Sequence, residues 1–229
     1  MKPAYMKTVL SLTAVFSALL FSCAQNSASD KQTKLTSTKK DMKEDTTQLK
    51  PTGVATFANG CFWCTEAVFE ELKGVISAVS GYSGGHTTNP TYKEVSYEET
   101  GHAECLQITY DTSVISFDEL LEVFWETHDP TTLNRQGNDV GTQYRSAIFY
   151  HDEAQKLKAE KYKAELDKSG AFNKPIVTEI TAFTKFYPAE DYHQQYYELN
   201  QGQNPYCSIV IRPKLEKFRK VFNDKLKNK

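Results

Sequence analysis

Methionine is almost missing from this 229-residue sequence: Met1, Met6 and Met42 are the only three, and none follows position 42. Oxidants therefore find no thioether in the longest part of the chain, which suits a domain working among them. Excess positive charge is missing too. Lysine and arginine number 27 against 29 acids, the formal charge is −2, and no basic run occurs, so nucleic acid is not an expected partner. The apolar run 9–21 falls short of the roughly 20 residues that cross a bilayer. Five histidines (His86, His102, His128, His151 and His193) show no pair at helical spacing, and no second C-x-x-C completes a zinc cage, so no metal site is expected. No internal repeat is visible.

The N-terminus reads as an address. Lys2 and Lys7 precede the apolar run, which ends at Ser22-Cys23, the layout of a secretory signal. Leu20-Phe21-Ser22-Cys23 is similar to a bacterial lipobox, in which the cysteine becomes the lipidated first residue; Met6 serves as a start as well as Met1. The expectation is a lipoprotein-type signal over 1–22, lipidation at Cys23, and an exported protein held in a bacterial cell envelope by that anchor, on its periplasmic or surface side. Cleavage there takes the formal charge from −2 to −4. Residues 23–52 hold six lysines and four acids among Ser and Thr, with no aromatic, so they cannot bury enough apolar surface to order themselves and form a tether.

Residues 53–229 are long enough for one domain with a substantial core. β-branched and aromatic enrichment predicts strands over 54–58, 75–82, 104–110, 146–150 and 176–183. Helices are predicted over 65–73, after the Ser116/Glu119 capping box, over 151–168 with Gly170 closing, after Pro188, and over 213–227. That is an α+β domain with helices packed on one sheet. Three long loops rich in Gly, Asn, Tyr and His, 81–97, 128–145 and 186–207, point to function.

Gly60-Cys61-Phe62-Trp63 sets a cysteine beside two large aromatics at a helix start, where unpaired N–H groups lower a thiol's pKa and the rings wall an apolar pocket. Cys61-x-x-Cys64 admits a thioredoxin-like reading, although Phe62 and Trp63 fill the positions where that motif carries small residues. A cysteine hydrolase could use His193 near Asp191 as base, but then Cys64, Cys207 and the aromatics have no role. Structural disulfides among Cys61, Cys64, Cys105 and Cys207 would suit an exported chain, yet a domain of this size does not need them. A surface-anchored binding module using the Phe62–Trp63 pocket is the non-enzymatic reading.

Seven further blocks settle on one resemblance. Gly81-Tyr-Ser-Gly-Gly85, Asn89-Pro-Thr-Tyr92, Thr100-Gly-His-Ala-Glu104, His128-Asp-Pro-Thr131, Asn134-Arg-Gln-Gly-Asn-Asp139, Gly141-Thr-Gln-Tyr-Arg-Ser146 and Ala189-Glu-Asp-Tyr-His-Gln194 join Gly60-Cys61-Phe62-Trp63 in an order that resembles the A-type peptide methionine sulfoxide reductases from about residue 55 onward. The resemblance implies a ferredoxin-like (α-β plait) two-layer core with long functional loops, and reduction of methionine S-sulfoxide in proteins and of the free amino acid. It implies Cys61 as nucleophile, Glu104 as acid, Tyr92 and Tyr144 as hydroxyls on the sulfoxide oxygen, Asp139 as an ordering loop residue, and Phe62, Trp63 and Tyr206 as walls of the methyl slot. It implies a Cys61 sulfenic acid resolved by Cys207, on a mobile segment, with the disulfide recycled by thioredoxin or a similar dithiol and no bound cofactor. Cys64, often Gly in that family, is a second candidate resolving thiol; Cys105 should face away from Glu104 as an inert buried cysteine. A monomer is expected.

Overall fold

The computed structural model describes residues 51–97 and 100–228. The signal expected over 1–22, the expected lipidation site Cys23 and the expected tether lie outside those residues, apart from positions 51 and 52. There the expected boundary moves by one residue: Thr52 already pairs with Asp111.

In chain order the elements are β1 (Thr52–Asn59), α1 (Phe62–Phe69), β2 (Val75–Ser83), α2 (Tyr92–Tyr97), β3 (Ala103–Asp111), α3 (Phe117–Glu126), β4 (Arg135–Gln136), β5 (Asp139–Val140), β6 (Ser146–Tyr150), α4 (Glu153–Ser169), β7 (Glu179–Ala182), β8 (Phe186–Pro188), α5 (Tyr196–Asn200) and α6 (Arg212–Val221). β1, α1, β2, β3, α3 and β6 make a βαββαβ plait whose strands lie in the order β6-β1-β3-β2. β7 joins β6 in parallel, and β8 extends the far edge beside β2 in an antiparallel pair, giving a mixed six-stranded sheet.

Period-two alternation sorts the strands onto two faces. Ala55 and Phe57 of β1 with Leu106 and Ile108 of β3 face the helices, meeting Val68, Phe69, Leu120 and Phe124 in the main core. Phe57 packs its ring 5.8 Å from that of Phe69 and 5.1 Å from that of Phe124. Each such buried side chain contributes about 1.5–3 kcal/mol. The opposite face holds a smaller cluster of Ala58, Ala103, Cys105, Ala147 and Phe149. Cys105 thus sits across the sheet from the face that bears Glu104, as its strand position requires.

Local signals explain the helix ends. The Ser116 hydroxyl accepts from the Glu119 N–H while the Glu119 carboxylate accepts from the Ser116 N–H, a complete capping box. Gly170 ends α4 with φ 68°, a conformation that favours glycine. Five expectations change. α1 begins at Phe62 and ends at Phe69, because the glycine turn lets the helix start directly after Cys61. The strand expected over 176–183 shrinks to four residues at the sheet edge. The loop 81–97 contains α2, and the segment 186–207 is built from β8, a 3-10 turn and α5. The last helix enters through a π-helical turn, Cys207–Ile211.

The strand register decides where chemistry collects. β1 and β3 are antiparallel with Phe57 opposite Leu106, so the end of β1 is level with the start of β3. Asn59 pairs with Ser146 at the start of β6, and Tyr82 near the end of β2 pairs with Glu104. One edge of the sheet therefore gathers Gly60-Cys61, Glu104, Tyr82 and the loop before Ser146.

Candidate active site

Gly60 turns the chain from β1 into α1 with φ 95°, and a Cβ there would stand 2.6 Å from Gln136 Cγ. Cys61 follows as N-cap, with φ −56° and ψ 124°. Its carbonyl accepts from the N–H groups of Cys64 and Thr65. The next unpaired amide, that of Phe62, donates to Glu104 Oε2 at 3.1 Å. The helix N-terminus is thus committed to the carboxyl of Glu104.

Burial above all, with Glu104 taking the helix-end amide, runs against the expected low pKa of Cys61. Cys61 is 7% exposed. Burial, then the hydrogen bond to Cys64 and the charges of Cys64 and Glu104, hold its thiol well above the ordinary range. Cys64 goes the other way, down to about 7, because Cys61 hydrogen-bonds to its sulfur and Lys214 adds a favourable charge against the cost of its own burial. Two buried thiols share one proton: the pair gives up its first proton early, with the anion on Cys64 and Cys61 as donor.

Glu104 is fully enclosed, and burial pushes its carboxyl up to about 8 against the opposing bond from the Phe62 amide, with the charges of Asp139 and Cys64 pushing further upward. It is an acid at neutral pH. Tyr92 starts α2, fixed by its N–H donating to Glu190 Oε1 at 2.9 Å; burial and then the Glu104 charge raise its phenol to about 12. Tyr144 ends a 3-10 turn just ahead of β6, and burial followed by the charges of Glu104, Tyr92 and Cys61 raises its phenol as well. Both hydroxyls remain proton donors at any ordinary pH.

The aromatic wall is assembled from three segments. The Trp63 indole lies flat on the Tyr196 ring at 3.7 Å with 8° between planes, and meets Tyr206 edge-on at 5.9 Å. Phe62 stacks toward Tyr92 at 6.3 Å. The Tyr206 hydroxyl donates to Asp139 Oδ2 at 2.6 Å and lies 3.9 Å from the Cys64 sulfur. Asp139, at the start of β5, thereby ties the β4–β5 hairpin to this wall.

Cys61, Cys64 and Cys207 belong to one apolar cluster with Ala67, Ile211 and Leu215, and all three thiols are free. Cys207 lies in a helical segment of the structure and not in an extended loop. It is fully buried at the start of the π-helical turn, with the Cys64 charge reaching it. Cys64 thus acts on both other thiols, Cys61 and Cys207. Cys105 is buried on the opposite sheet face, and desolvation raises its thiol strongly.

Several residues escaped sequence reasoning. Glu190 accepts from both the Tyr82 hydroxyl, at 3.0 Å, and the Tyr92 amide. His193, considered only as a hydrolase base, receives the Trp63 indole N–H on Nδ1 at 3.1 Å, while Asp191 is exposed. Both belong to the block 189–194, which was the available signal. Tyr196 gave none. Among the described residues, no group of three or more His, Cys, Asp or Glu could hold a metal ion.

A buried dithiol beside a protonated carboxylic acid, on a plait edge walled by aromatics, defines a thiol-dependent oxidoreductase. The family profile described as peptide methionine sulfoxide reductase matches residues 53–226. The chain is 58% identical over 174 residues to the peptide methionine sulfoxide reductase MsrA of Saccharolobus solfataricus, covering 76% of this chain and 97% of that protein. It is 54% identical over 174 residues to the same enzyme of Chromobacterium violaceum, covering 76% and 98%. Among solved structures it is similar to Mxr1 from Saccharomyces cerevisiae in reduced form, at TM-score 0.63 and 36% identity over 68% of this chain and 89% of that one. Methionine sulfoxide reductase A of Corynebacterium diphtheriae gives TM-score 0.61 and 39% identity over 68% and 78%. The chain belongs to the A-type peptide methionine sulfoxide reductases, enzymes that reduce methionine sulfoxide.

Proposed function

We propose that Cys61 attacks the sulfur of methionine S-sulfoxide while Glu104 protonates the departing oxygen. The observation that carries this reading is the bond from the Phe62 amide to Glu104, which fixes a neutral acid at the helix end bearing Cys61. On substrate binding the shared proton moves from Cys61 to Cys64, leaving Cys61 as thiolate. Attack forms a transient bond between Cys61 and the substrate sulfur; the oxygen, protonated by Glu104, then transfers to Cys61 as the S–O bond and that S–S bond break, leaving a sulfenic acid and a free thioether. Tyr92 and Tyr144 hold the oxygen; Phe62, Trp63 and Tyr206 take the S-methyl group; Asp139 orders Tyr206 from β5.

Resolution proceeds through Cys64 before Cys207. The Cys64 thiol condenses with the sulfenic acid, releasing water and forming a Cys61–Cys64 disulfide; Cys207 then attacks Cys64, frees Cys61 and carries the disulfide onward. The mutual interaction of the Cys61 and Cys64 thiols, and the reach of the Cys64 charge to Cys207, support this order over direct capture by Cys207. An N-cap residue outside helical geometry, three residues from its partner, also removes the geometric objection to so short a loop. A thioredoxin-like dithiol supplies the electrons. The protein repairs oxidised envelope proteins and free methionine sulfoxide as a monomer, anchored through Cys23.

Mass spectrometry of the full chain after one equivalent of methionine sulfoxide without reductant, with remaining thiols alkylated, tests this. Bridged peptides joining Cys61 to Cys64, or Cys64 to Cys207, are expected. Four alkylated thiols after thioether release would refute the scheme.

A further inference from the structure

Glu66 has no part in the chemistry, yet it is a carboxylate 1% exposed, on α1 between the catalytic turn and the core. Such burial costs several kcal/mol unless the charge is partnered. Its partners are informative. The backbone N–H of Tyr196 donates to Glu66 Oε2 at 3.3 Å while Oε1 has no hydrogen-bond partner, and burial raises the carboxyl to about 7 against the pull of the Gln195 and Tyr196 backbone. Gln195 is the N-cap of α5 and holds φ 51°, left-handed backbone that a side chain disfavours, and its own side chain makes no cap. The Tyr196 amide that opens α5 is therefore satisfied from another helix.

What α5 opens with is Tyr196, whose ring lies flat on Trp63 at 3.7 Å. The Tyr196 hydroxyl accepts from Asn204 Nδ2 at 2.7 Å, and Asn204 Oδ1 accepts from the Tyr206 N–H at 2.9 Å. Tyr206 in turn bonds Asp139. A continuous line of contacts runs from Glu66 through Tyr196 to both Trp63 and Tyr206.

We infer that Glu66 is a positioning residue for substrate recognition: it caps α5 from α1, holds the strained Gln195 turn, and so sets Tyr196 where it fixes both walls of the methyl slot. This rests on the reading that Trp63 and Tyr206 line that slot. Glu66 touches neither substrate nor reacting sulfur, so its loss acts on KM. A buried residue needed only for stability would lower Tm and leave the KM of the folded fraction alone.

The test is steady-state kinetics on a methionine sulfoxide peptide with dithiothreitol as reductant. Glu66→Ala should raise KM about tenfold, the size expected from leaving one buried amide without its acceptor, with kcat within about threefold. Glu66→Gln, which keeps an acceptor for the Tyr196 amide, should recover most of that loss; Glu160→Gln, exposed on α4, should leave KM unchanged. In a Tyr196→Leu background Glu66→Ala should add little, since the ring it places is gone. Where Glu66→Ala does not fold, Glu66→Met fills the volume and carries the same cycle. An unchanged KM in the folded variant, no rescue by Gln, or full additivity with Tyr196→Leu overturns the inference. Trp63→Leu separates the two readings: if it leaves KM unchanged the slot itself is misassigned, whereas a raised KM there with Glu66→Ala silent refutes only the role of Glu66.

Discussion

The amide of Phe62 and the carboxyl of Glu104 meet at 3.1 Å, joining the start of α1 to the start of β3. That bond does two things. It gives the helix N-terminus a partner other than the neighbouring thiol, and it holds an acid buried enough to keep its proton to about pH 8.

The pH profile follows. The thiol pair gives its first proton near 7, with the anion on Cys64, and Glu104 loses its own near 8. The sulfoxide reduction step should rise through about 7 and fall through about 8. Glu104→Gln should lower the rate of that step about 100-fold or more and abolish the falling limb, measured as single-turnover thioether release across pH.

Glu104 also makes a stability prediction. Its folded pKa, about 8, lies above its unfolded value. The contribution it makes is complete below that unfolded value, declines above it, and is gone once pH passes about 8. Thermal denaturation should show Glu104→Gln gaining Tm over the parent as pH rises from 5 to 9, by at least a few degrees.

Cys64→Ser tests the proton sharing and the relay together. It removes the group that takes the Cys61 proton, so the rising limb should move to higher pH and the single-turnover rate at pH 7 should fall about tenfold. Stopped-flow measurement of thioether release checks this. Turnover driven by thioredoxin should fall further than turnover driven by dithiothreitol, because the route to Cys207 is interrupted.

Gly60→Ala should destabilise the fold by about 1–3 kcal/mol, since it forces a side chain into left-handed backbone. Its Cβ would also stand 2.6 Å from Gln136 Cγ. Chemical denaturation checks the size. The loss should fall also on activity, because Gln136 anchors the hairpin that carries Asp139 by accepting from the Asp129 N–H at 3.1 Å.

Much of this arrangement was legible in the sequence, for physical reasons. β1, β2, β3 and β6 announce themselves through β-branched and aromatic residues, and the Ser116/Glu119 box and Gly170 fix helix ends by chemistry local to a few residues. The side of the sheet taken by Cys105 follows from alternation alone. What local pattern cannot show is which partner wins a donor. The Phe62 amide goes to Glu104, 42 positions away, so a cysteine at a helix start looked acidic when its neighbour Cys64 takes the charge. Likewise Cys207, in a glycine- and asparagine-rich stretch that reads as a loop, is drawn into the core by Ile211 and Leu215.

The central claim is that Cys61 takes the oxygen. The direct measurement uses the Cys64→Ser/Cys207→Ser double variant, given one equivalent of methionine sulfoxide and dimedone without reductant. One thioether per chain and a dimedone adduct on Cys61 are expected; thioether release with the adduct on another residue, or no release at all from folded protein, contradicts the account.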